Sequence, residues 1–381
     1  MDSRRHFIAA ALGAGAAACG RKLGKGFPGY AFVANSDGHA VAAVDLEAFA
    51  VIRHIRLDAD PTQVAASPSQ PRIYALAPKA ATLFEIGADT LEVRRRLRLP
   101  GSPASLRVAP DGSAIWVLCP EQRQVLRISP DRLQVDHRVA LSGTPVAIDF
   151  APEESETRAM AAVSLGGAGT VALLEAATAR LLATLPLGAE VGEVRFRKDG
   201  AHLLALHRSE PMLSQYDLRA RRCAVRLPLA VRPEHMCVKP DGGEVYITGA
   251  GADALVTVYP FRTEVRGTLL AGRAPGYVAA TGARVFVANP ESNDVSIVDS
   301  RNQRVVAVAR VGKQPCFIAL TPDERFALVL GRESGDMTVL RAEPQTVKRA
   351  ASAPAAPSFM IPVGSAPSQA VVWSAAWSRE G

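Results

Sequence analysis

Three cationic residues near prolines are the most suggestive chemical groups in this sequence. Arg232, Arg273 and Lys313 each stand one or two residues before a proline, at intervals of 41 and 40 residues. Guanidinium and ammonium groups bind carboxylates and phosphates. Near-constant spacing is typical of equivalent positions in a repeat, so we expect the three residues on equivalent loops. Whether they form a site depends on how the repeats are arranged.

Patterns that mark catalytic or metal sites are absent from the sequence. It has no Gly-x-Ser-x-Gly elbow, His-Glu-x-x-His pair, phosphate loop, dinucleotide fingerprint or EF-hand loop. Its seven histidines are scattered, and its five cysteines form no Cys-x-x-Cys pair. The sequence therefore predicts no catalytic residue, no metal site and no cofactor. We expect four of the cysteines to behave as small buried hydrophobic residues, with one disulfide between two of them as the alternative. The four are Cys119, Cys223, Cys237 and Cys316.

One short sequence pattern recurs eight times at intervals of 40 to 45 residues. An apolar strand is followed by a second, by a third, and then by a proline and a fourth. The clearest copy runs from Val285 to Pro315. Such a period is typical of a β-propeller, in which each unit is one four-stranded blade. The second strands of the units begin at Phe32, Tyr74, Trp116, Ala161, Leu204, Tyr246, Phe286 and Leu328.

The frame of the repeat predicts how the ring closes. The chain has a second strand at Tyr30 to Ala34 with no proline-led strand before it, and it ends with a proline-led strand at Pro367 to Trp373. We expect the last strand to complete the first blade, which leaves no open edge. This predicts an all-β fold, a single propeller of eight blades. Because the low-complexity stretch Ala350 to Ser358 interrupts the last unit, seven blades plus an irregular tail is the alternative.

Propeller topology then groups the cationic residues. Loops from the fourth to the first strand share a face with loops from the second to the third strand. We expect an arc of basic residues over one side of the channel mouth, where it would bind a carboxylate, a phosphate or an acidic peptide; a solvated basic rim without a ligand is the alternative. The predicted arc consists of Arg232, His235, Arg273, Lys313, Arg208 and Arg332.

The repeat resembles the YVTN-type, YncE-like propeller family. The Tyr-Val-Thr-Asn element of that family is similar to Tyr246–Gly249, Phe286–Asn289 and Phe32–Asn35, and its Val-Ser-Val-Ile-Asp element is similar to Val295–Asp299. The resemblance implies a propeller over about residues 30–373. Members are mostly exported proteins of undefined role, and a few relatives resemble the propeller domains of quinoprotein dehydrogenases and haem d1 proteins.

The N-terminus has the pattern of an export signal. Ser3 to Ile8 resembles the twin-arginine motif, and the short apolar stretch Ala9 to Ala18 follows it. Cys19 is a candidate for lipidation after cleavage, with simple cleavage as the alternative. We therefore expect an export signal in residues 1–19, a tether in 20–29, the propeller in 30–373 and a tail in 374–381. The predicted location is the periplasm or cell envelope, and no later stretch is long and apolar enough to predict a membrane helix.

Composition limits the function classes. Apolar residues make up 48% and charged residues 21%, which suits a large folded core, and a formal charge of +7 is too small to favour nucleic acid as a partner. The sequence favours a monomeric, exported, non-enzymatic propeller that binds an anionic small molecule or an acidic protein segment. The alternative is a redox or cofactor-handling enzyme of the quinoprotein or haem d1 type.

Overall fold

Thirty-two β-strands and no helix make up the part of the chain that the computed structural model describes, residues 26–342 and 359–375. The first eleven are β1 (Tyr30–Asn35), β2 (Ala40–Asp45), β3 (Ala50–Arg56), β4 (Gln63–Ala66), β5 (Arg72–Ala77), β6 (Thr82–Gly87), β7 (Val93–Arg98), β8 (Ser105–Val108), β9 (Ile115–Cys119), β10 (Gln124–Ser129) and β11 (Gln134–Ala140). The next twelve are β12 (Ala147–Phe150), β13 (Met160–Ser164), β14 (Thr170–Glu175), β15 (Leu181–Pro186), β16 (Val191–Phe196), β17 (His202–His207), β18 (Met212–Asp217), β19 (Arg222–Pro228), β20 (Arg232–Val238), β21 (Val245–Ala250), β22 (Ala254–Tyr259) and β23 (Glu264–Leu270). The last nine are β24 (Val278–Ala280), β25 (Arg284–Asn289), β26 (Asp294–Asp299), β27 (Arg304–Arg310), β28 (Pro315–Leu320), β29 (Phe326–Gly331), β30 (Asp336–Arg341), β31 (Phe359–Pro362) and β32 (Pro367–Trp373).

The strands form eight antiparallel four-stranded sheets, which are the blades of a propeller. Blade 1 has the order β32-β1-β2-β3 from the channel outward, and blades 2 to 8 each take four consecutive strands, from β4–β7 to β28–β31. The C-terminal strand β32 pairs with β1 through Tyr30 opposite Trp373 and Ala31 opposite Val372. Both the eight-blade count and the closure are therefore confirmed, and the seven-blade alternative is wrong.

Apolar side chains fill the interfaces between blades. Among the described residues there are eight buried clusters, one at each interface around the ring. The aromatic residue near the start of the second strand packs toward the next blade, as Phe32, Trp116 and Phe286 do, and each of the three is fully buried. Because the second strand is covered on both faces, its residues are continuously apolar rather than alternating.

Aspartates at the ends of the third strands shape the next turn. Asp299 Oδ1 accepts hydrogen bonds from the backbone amides of Arg301 and Asn302, at 3.0 and 3.3 Å. Asp45 and Asp217 bond the two equivalent amides in their own blades. Such side-chain bonds replace the backbone partners that a tight turn leaves free. The same turn therefore follows the third strand in these three blades.

Two sets of loops share the face at which the innermost strands begin, here called the front face. Ser36 N donates to Ala366 O at 3.0 Å, and Arg332 N donates to Gln314 O at 3.0 Å, so second-to-third-strand loops contact the loops that enter the innermost strands. The topology from which the basic arc was predicted is therefore present. The opposite, back face carries the remaining turns.

The ends of the described chain pack against each other on the back face. Phe27 is buried in the cluster between blades 8 and 1, and Ser374 Oγ donates to Pro28 O at 2.7 Å. Residues 26–29, expected to be a tether, are thus part of the packed body. The predicted export signal and Cys19 lie outside the described residues. Within the described ranges, no helix has the length and apolar content that a membrane span requires.

Candidate functional site

The innermost strand of each blade presents alternate side chains to the central channel. Residues such as Val64, Leu106 and Met236 are buried between blades, whereas their strand neighbours keep partial exposure. This alternation defines two levels of channel residues, the lower level two residues further along each strand. The upper level consists of Gln63, Ser105, Ala147, Glu193, His235, Tyr277, Phe317 and Gln369. The lower level consists of Ala65, Arg107, Asp149, Arg195, Cys237, Ala279, Ala319 and Val371.

Charged and aromatic side chains occupy one side of this channel. The charges come from blades 3 to 6, which contribute Arg107, Asp149, Glu193, Arg195 and His235. Rings continue the series on the next two blades. Blades 1 and 2 add only uncharged side chains to the two levels. Blades 3 to 6 therefore form a polar half of the channel, and blades 7, 8, 1 and 2 form a neutral half. The polar half is the candidate site, with the rings of blades 7 and 8 beside it.

In the upper level, four consecutive blades bring an acid and three rings together. His235 Nδ1 lies 3.8 Å from Glu193 Oε1. The rings of His235 and Tyr277 are 5.8 Å apart at their centroids, and those of Tyr277 and Phe317 are 4.4 Å apart. Rings at these separations and tilts attract each other. The rings of His235, Tyr277 and Phe317 form a continuous aromatic wall.

In the lower level, Arg195 is matched by two carboxylates. Arg195 Nη2 lies 3.6 Å from Glu193 Oε2. Burial opposes the charge of Arg195, but Glu193 and Asp149 outweigh that effect and raise its pKa. Burial raises the pKa of Asp149, and the nearby charges of Arg195 and Arg107 only partly offset the rise. Arg195 therefore keeps its charge and is already compensated by its neighbours.

Arg107 is different, because its side chain has no hydrogen bond or ion pair with any residue in the described part of the chain. It lies opposite Trp116 in the register of β8 and β9 and is exposed to the channel. Blade 3, which carries Arg107, faces blade 7 across the ring, and blade 7 carries Tyr277. Burial raises the pKa of Tyr277 to about 12, and the charge of Arg107 is the largest opposing influence. The guanidinium thus acts on the phenol from across the channel.

The two channel carboxylates also have a structural role, which limits what else they can do. Glu193 Oε2 accepts the backbone amide of Met236 at 2.9 Å, and Asp149 Oδ2 accepts that of Phe196 at 2.7 Å. In each pair the amide belongs to the next blade. Gln63 Oε1 bonds Leu106 N at 2.7 Å in the same way. One oxygen of each carboxylate is therefore committed to joining blades.

This role gives a test at Glu193. We expect Glu193→Gln to keep the bond to Met236 N, as Gln63 does in its own blade, whereas Glu193→Ala leaves that amide unpaired and lowers the free energy of unfolding by about 1–2 kcal/mol. The measurement is urea denaturation of both variants. Although Glu193→Gln weakens the pairing with Arg195, it keeps the inter-blade bond, so its expected cost is less than half that of the alanine. Equal losses would show that the charge, not the inter-blade bond, stabilises the fold.

The structure places the predicted arc residues on the front face, except for one. Arg208, Arg232, Arg273, Lys313 and Arg332 are all exposed. The loops of Lys313 and Arg332 are bonded through Glu333 N and Lys313 O at 3.2 Å, and each of the other three lies on a different blade. His235 instead points into the channel, where it joins the aromatic wall. The binding role of the arc stays a prediction.

Acidic residues accompany these cations. Arg273 pairs with Glu291 at 3.7 Å, an exposed contact. Glu234 follows Arg232 closely on β20, and Glu333 follows Arg332 in the same loop. Arg332 also lines a shallow groove of about 560 Å³ between blades 8 and 1, with Asp37 on the opposite side. The rim of the mouth is therefore of mixed charge rather than uniformly basic.

The remaining histidines and cysteines give no second site. His207 is buried, its ring bonds Ser214 Oγ at 2.7 Å, and burial lowers its pKa. Cys119 is buried, the cysteines at 223, 237 and 316 are partly buried, and all four are free thiols. Among the described residues, no group of three or more His, Cys, Asp or Glu side chains is arranged to hold a metal ion.

Of the channel residues only His235 is among the predicted site residues, although the sequence carries a signal for the others. In every unit but the fifth, the residue two positions after the inter-blade proline belongs to the upper level and the residue four positions after it to the lower level. Pro275 precedes Tyr277 in this way, and Pro103 precedes Arg107. The alternation of strand residues makes both positions face the same side.

Comparisons with known proteins support the fold and leave the family open. No family model matches the sequence, and no curated protein matches it. The chain is similar in structure to the dihydro-haem d1 dehydrogenase NirN in complex with DHE, with a TM-score of 0.76 and 13% identity over 92% of this chain and 76% of that one. Hydrazine synthase from Kuenenia stuttgartiensis gives a TM-score of 0.57 and 17% identity over 71% and 92%. The propeller domain of Cps50 (Swd1) from Myceliophteria thermophila gives 0.60 and 15% over 75% and 98%. At these identities the likeness shows a propeller and nothing more.

Proposed function

We propose that the protein is a non-enzymatic binding module that holds an anionic group in the polar half of its channel. The observation that carries this proposal is Arg107, a channel cation whose side chain has no hydrogen bond or ion pair with any described residue. A guanidinium without such a bond keeps its paired N–H donors free for the carboxylate or phosphate of a ligand. The neighbouring Arg195 adds a second, compensated positive charge.

Binding fits the geometry better than acid–base catalysis by the protein's own carboxylates. Glu193 and Asp149 each give one oxygen to a backbone amide of the next blade. A general acid or base must approach the substrate with a free oxygen and change protonation there. Groups that hold two blades together are poorly suited to that change, whereas Arg107 can accept a ligand without disturbing the ring.

The exposed cations at the mouth have a supporting role in this proposal. Arg232, Arg273 and Lys313 would attract an anionic ligand and so raise its association rate, an effect that salt screens. The mixed charge of the rim agrees with a role in steering rather than in tight binding. The ligand is an anionic small molecule or an acidic protein segment, and the front face is its entrance.

Location and family form part of the proposal and rest on the sequence. The twin-arginine-like leader supports export to the periplasm or envelope, with Cys19 as the candidate lipid anchor. The elements at Phe286–Asn289 and Val295–Asp299 support membership of the YVTN-type family. Both elements are strands of blade 7, with the aromatic residue at the interface to blade 8.

Thermal shift measurements with defined anions test the binding role. Inorganic phosphate, citrate, benzoate and a hexaglutamate peptide are added to the wild type, to Arg107→Gln and to the triple variant R232S/R273S/K313S. We expect at least one anion to raise the Tm of the wild type, and the increase to disappear in Arg107→Gln. The triple variant should keep the increase at saturating anion and bind more slowly. An equal increase in the wild type and Arg107→Gln would contradict the proposal.

A redox or cofactor-handling enzyme is the second candidate, favoured by the structural likeness to NirN. His235 is the one histidine among the described innermost strands and faces the channel beside Tyr277. It could serve as one ligand to a bound cofactor iron, and the aromatic wall could flank a flat cofactor. A change in visible absorbance when haem or a quinone is added, lost in His235→Leu, would favour this candidate over the first.

A further inference from the structure

We propose that the channel takes a flat organic acid, a conjugated ring system that carries a single carboxylate, with the ring against the aromatic wall and the carboxylate on Arg107. This inference rests on the proposed function and narrows its ligand class. Three independent features of the channel support it: the wall itself, the position of Arg107 across from the wall, and the neutral lining of the remaining blades.

The aromatic wall has the arrangement of a binding surface. His235, Tyr277 and Phe317 come from three consecutive blades and occupy the same level of the channel. Tyr277 and Phe317 pack on the inter-blade clusters, yet both keep exposed surface. The aromatic residues that fill the interfaces, such as Phe32 and Tyr246, are by contrast fully buried. A ring stacked on the wall would cover apolar surface that otherwise faces water.

Arg107 lies at a suitable position for the acid group of such a ligand. It projects from blade 3, four blades from Tyr277 in an eight-blade ring, and so faces the wall from the opposite side. A ligand between the two would touch the wall with its ring and the guanidinium with its carboxylate. Arginine binds a carboxylate through two parallel N–H bonds, which fixes the orientation of a flat acid.

The rest of the lining argues for one ionised group rather than several. The charge of Arg195 is already compensated by Glu193 and Asp149, so these two carboxylates would repel a second carboxylate on the ligand. On blades 8, 1 and 2 the lower level is lined by three small apolar residues: Ala319, Val371 and Ala65. Mostly apolar linings with a few placed polar groups are typical of small-molecule sites. The body of the ligand should therefore be uncharged.

Three probes separate the parts of this proposal. 2-Naphthoate has the ring and the charge, 2-naphthamide has only the ring, and cyclohexanecarboxylate has only the charge. Their dissociation constants are measured by calorimetry with the full chain, for the wild type, Arg107→Gln, Arg107→Lys, Tyr277→Leu and Phe317→Leu. Arg138→Gln is the matched control, an exposed arginine on the outer strand β11. Thermal denaturation confirms that each variant is folded.

We expect 2-naphthoate to bind roughly tenfold more tightly than 2-naphthamide, since one charge-assisted hydrogen-bond pair gives at least that factor. It should also bind more tightly than cyclohexanecarboxylate, which lacks the flat ring that stacks on the aromatic wall. Arg107→Gln should remove the advantage over 2-naphthamide, and Arg107→Lys should restore part of it. Tyr277→Leu and Phe317→Leu should weaken 2-naphthoate without changing cyclohexanecarboxylate, and Arg138→Gln should change nothing.

The outcomes distinguish this inference from the proposed function. If cyclohexanecarboxylate binds as well as 2-naphthoate and both are lost in Arg107→Gln, the flat-ring inference is overturned and the anion site stands. If none of the three probes binds while citrate or phosphate still requires Arg107, the inference is again overturned alone. If Arg107→Gln changes no anion's binding, both proposals fail.

Discussion

A chain that ends at Ala366, and so lacks β32, is expected not to fold to a stable propeller. The missing strand supplies the innermost strand of blade 1, which pairs with β1 over its whole length. It also buries Ala370, Val372 and Trp373 at the two interfaces of that blade. Val372 and Trp373 contribute about 1.5–3 kcal/mol each, so together with the lost β1 pairing the cost reaches the lower end of the total stability of about 5–15 kcal/mol that is usual for a domain.

The comparison is a chain that ends at Ala375 and keeps β32. Circular dichroism and size-exclusion chromatography of the two chains should show a folded protein only for the longer one. An exposed edge at β1 would also make the shorter chain aggregate, because an unpaired strand can add to another sheet. A folded monomer from the chain that ends at Ala366, with the same Tm, would contradict closure by the last strand.

The second large effect is expected at Arg266, which joins blades 6 and 7. Its guanidinium donates to the buried Glu244, to Ser300 O at 3.0 Å and to Arg301 O at 2.6 Å. Arg266→Ala leaves the carboxylate of Glu244 without its main partner, and Lys239 Nζ at 3.8 Å compensates only in part. We expect the free energy of unfolding to fall by about 3 kcal/mol, which is usual when one member of a buried ion pair is removed.

Arg262 is the matched control for this prediction. Its guanidinium carbon lies 5.2 Å from the ring centroid of Tyr259, the same distance as that of Arg266. Its partner Glu264 is exposed, so Arg262→Ala should cost less than about 1 kcal/mol. Adding Glu244→Gln to Arg266→Ala should recover part of the loss, because it removes an uncompensated charge. Equal costs for the two arginines in guanidinium denaturation would contradict a role for the buried pair.

The fold was predictable because every unit of the repeat must satisfy the same packing and turn requirements. Each unit needs an aromatic or large apolar residue for the interface and an aspartate or a similar residue for the tight turn, and both recur where expected, as Phe286 and Asp299 do. The position of the last strand followed from the frame alone. The start of the packed body could not be predicted, because nothing in the sequence around Phe27 distinguishes a tether from a segment that covers a core.

The candidate site was harder to predict because it depends on distance rather than order. Glu193, His235 and Tyr277 are each about 42 residues from the next in the chain, and only the ring brings them together. The loop cations were predictable as exposed residues because charge near proline indicates an exposed loop. The predicted arc contains His235 for its place beside Arg232, but no local motif marks its neighbours on the wall, Tyr277 and Phe317. The alternation after each inter-blade proline would have revealed them.

The most direct test of the account is a crystal structure of the protein with bound 2-naphthoate. We predict that its carboxylate lies within about 2.7–2.9 Å of the Arg107 guanidinium nitrogens, inside the channel and opposite Tyr277. A molecule found only in the groove beside Arg332, or only on the outer surface, with Arg107 unoccupied, would contradict the claim that the polar half of the channel is the binding site.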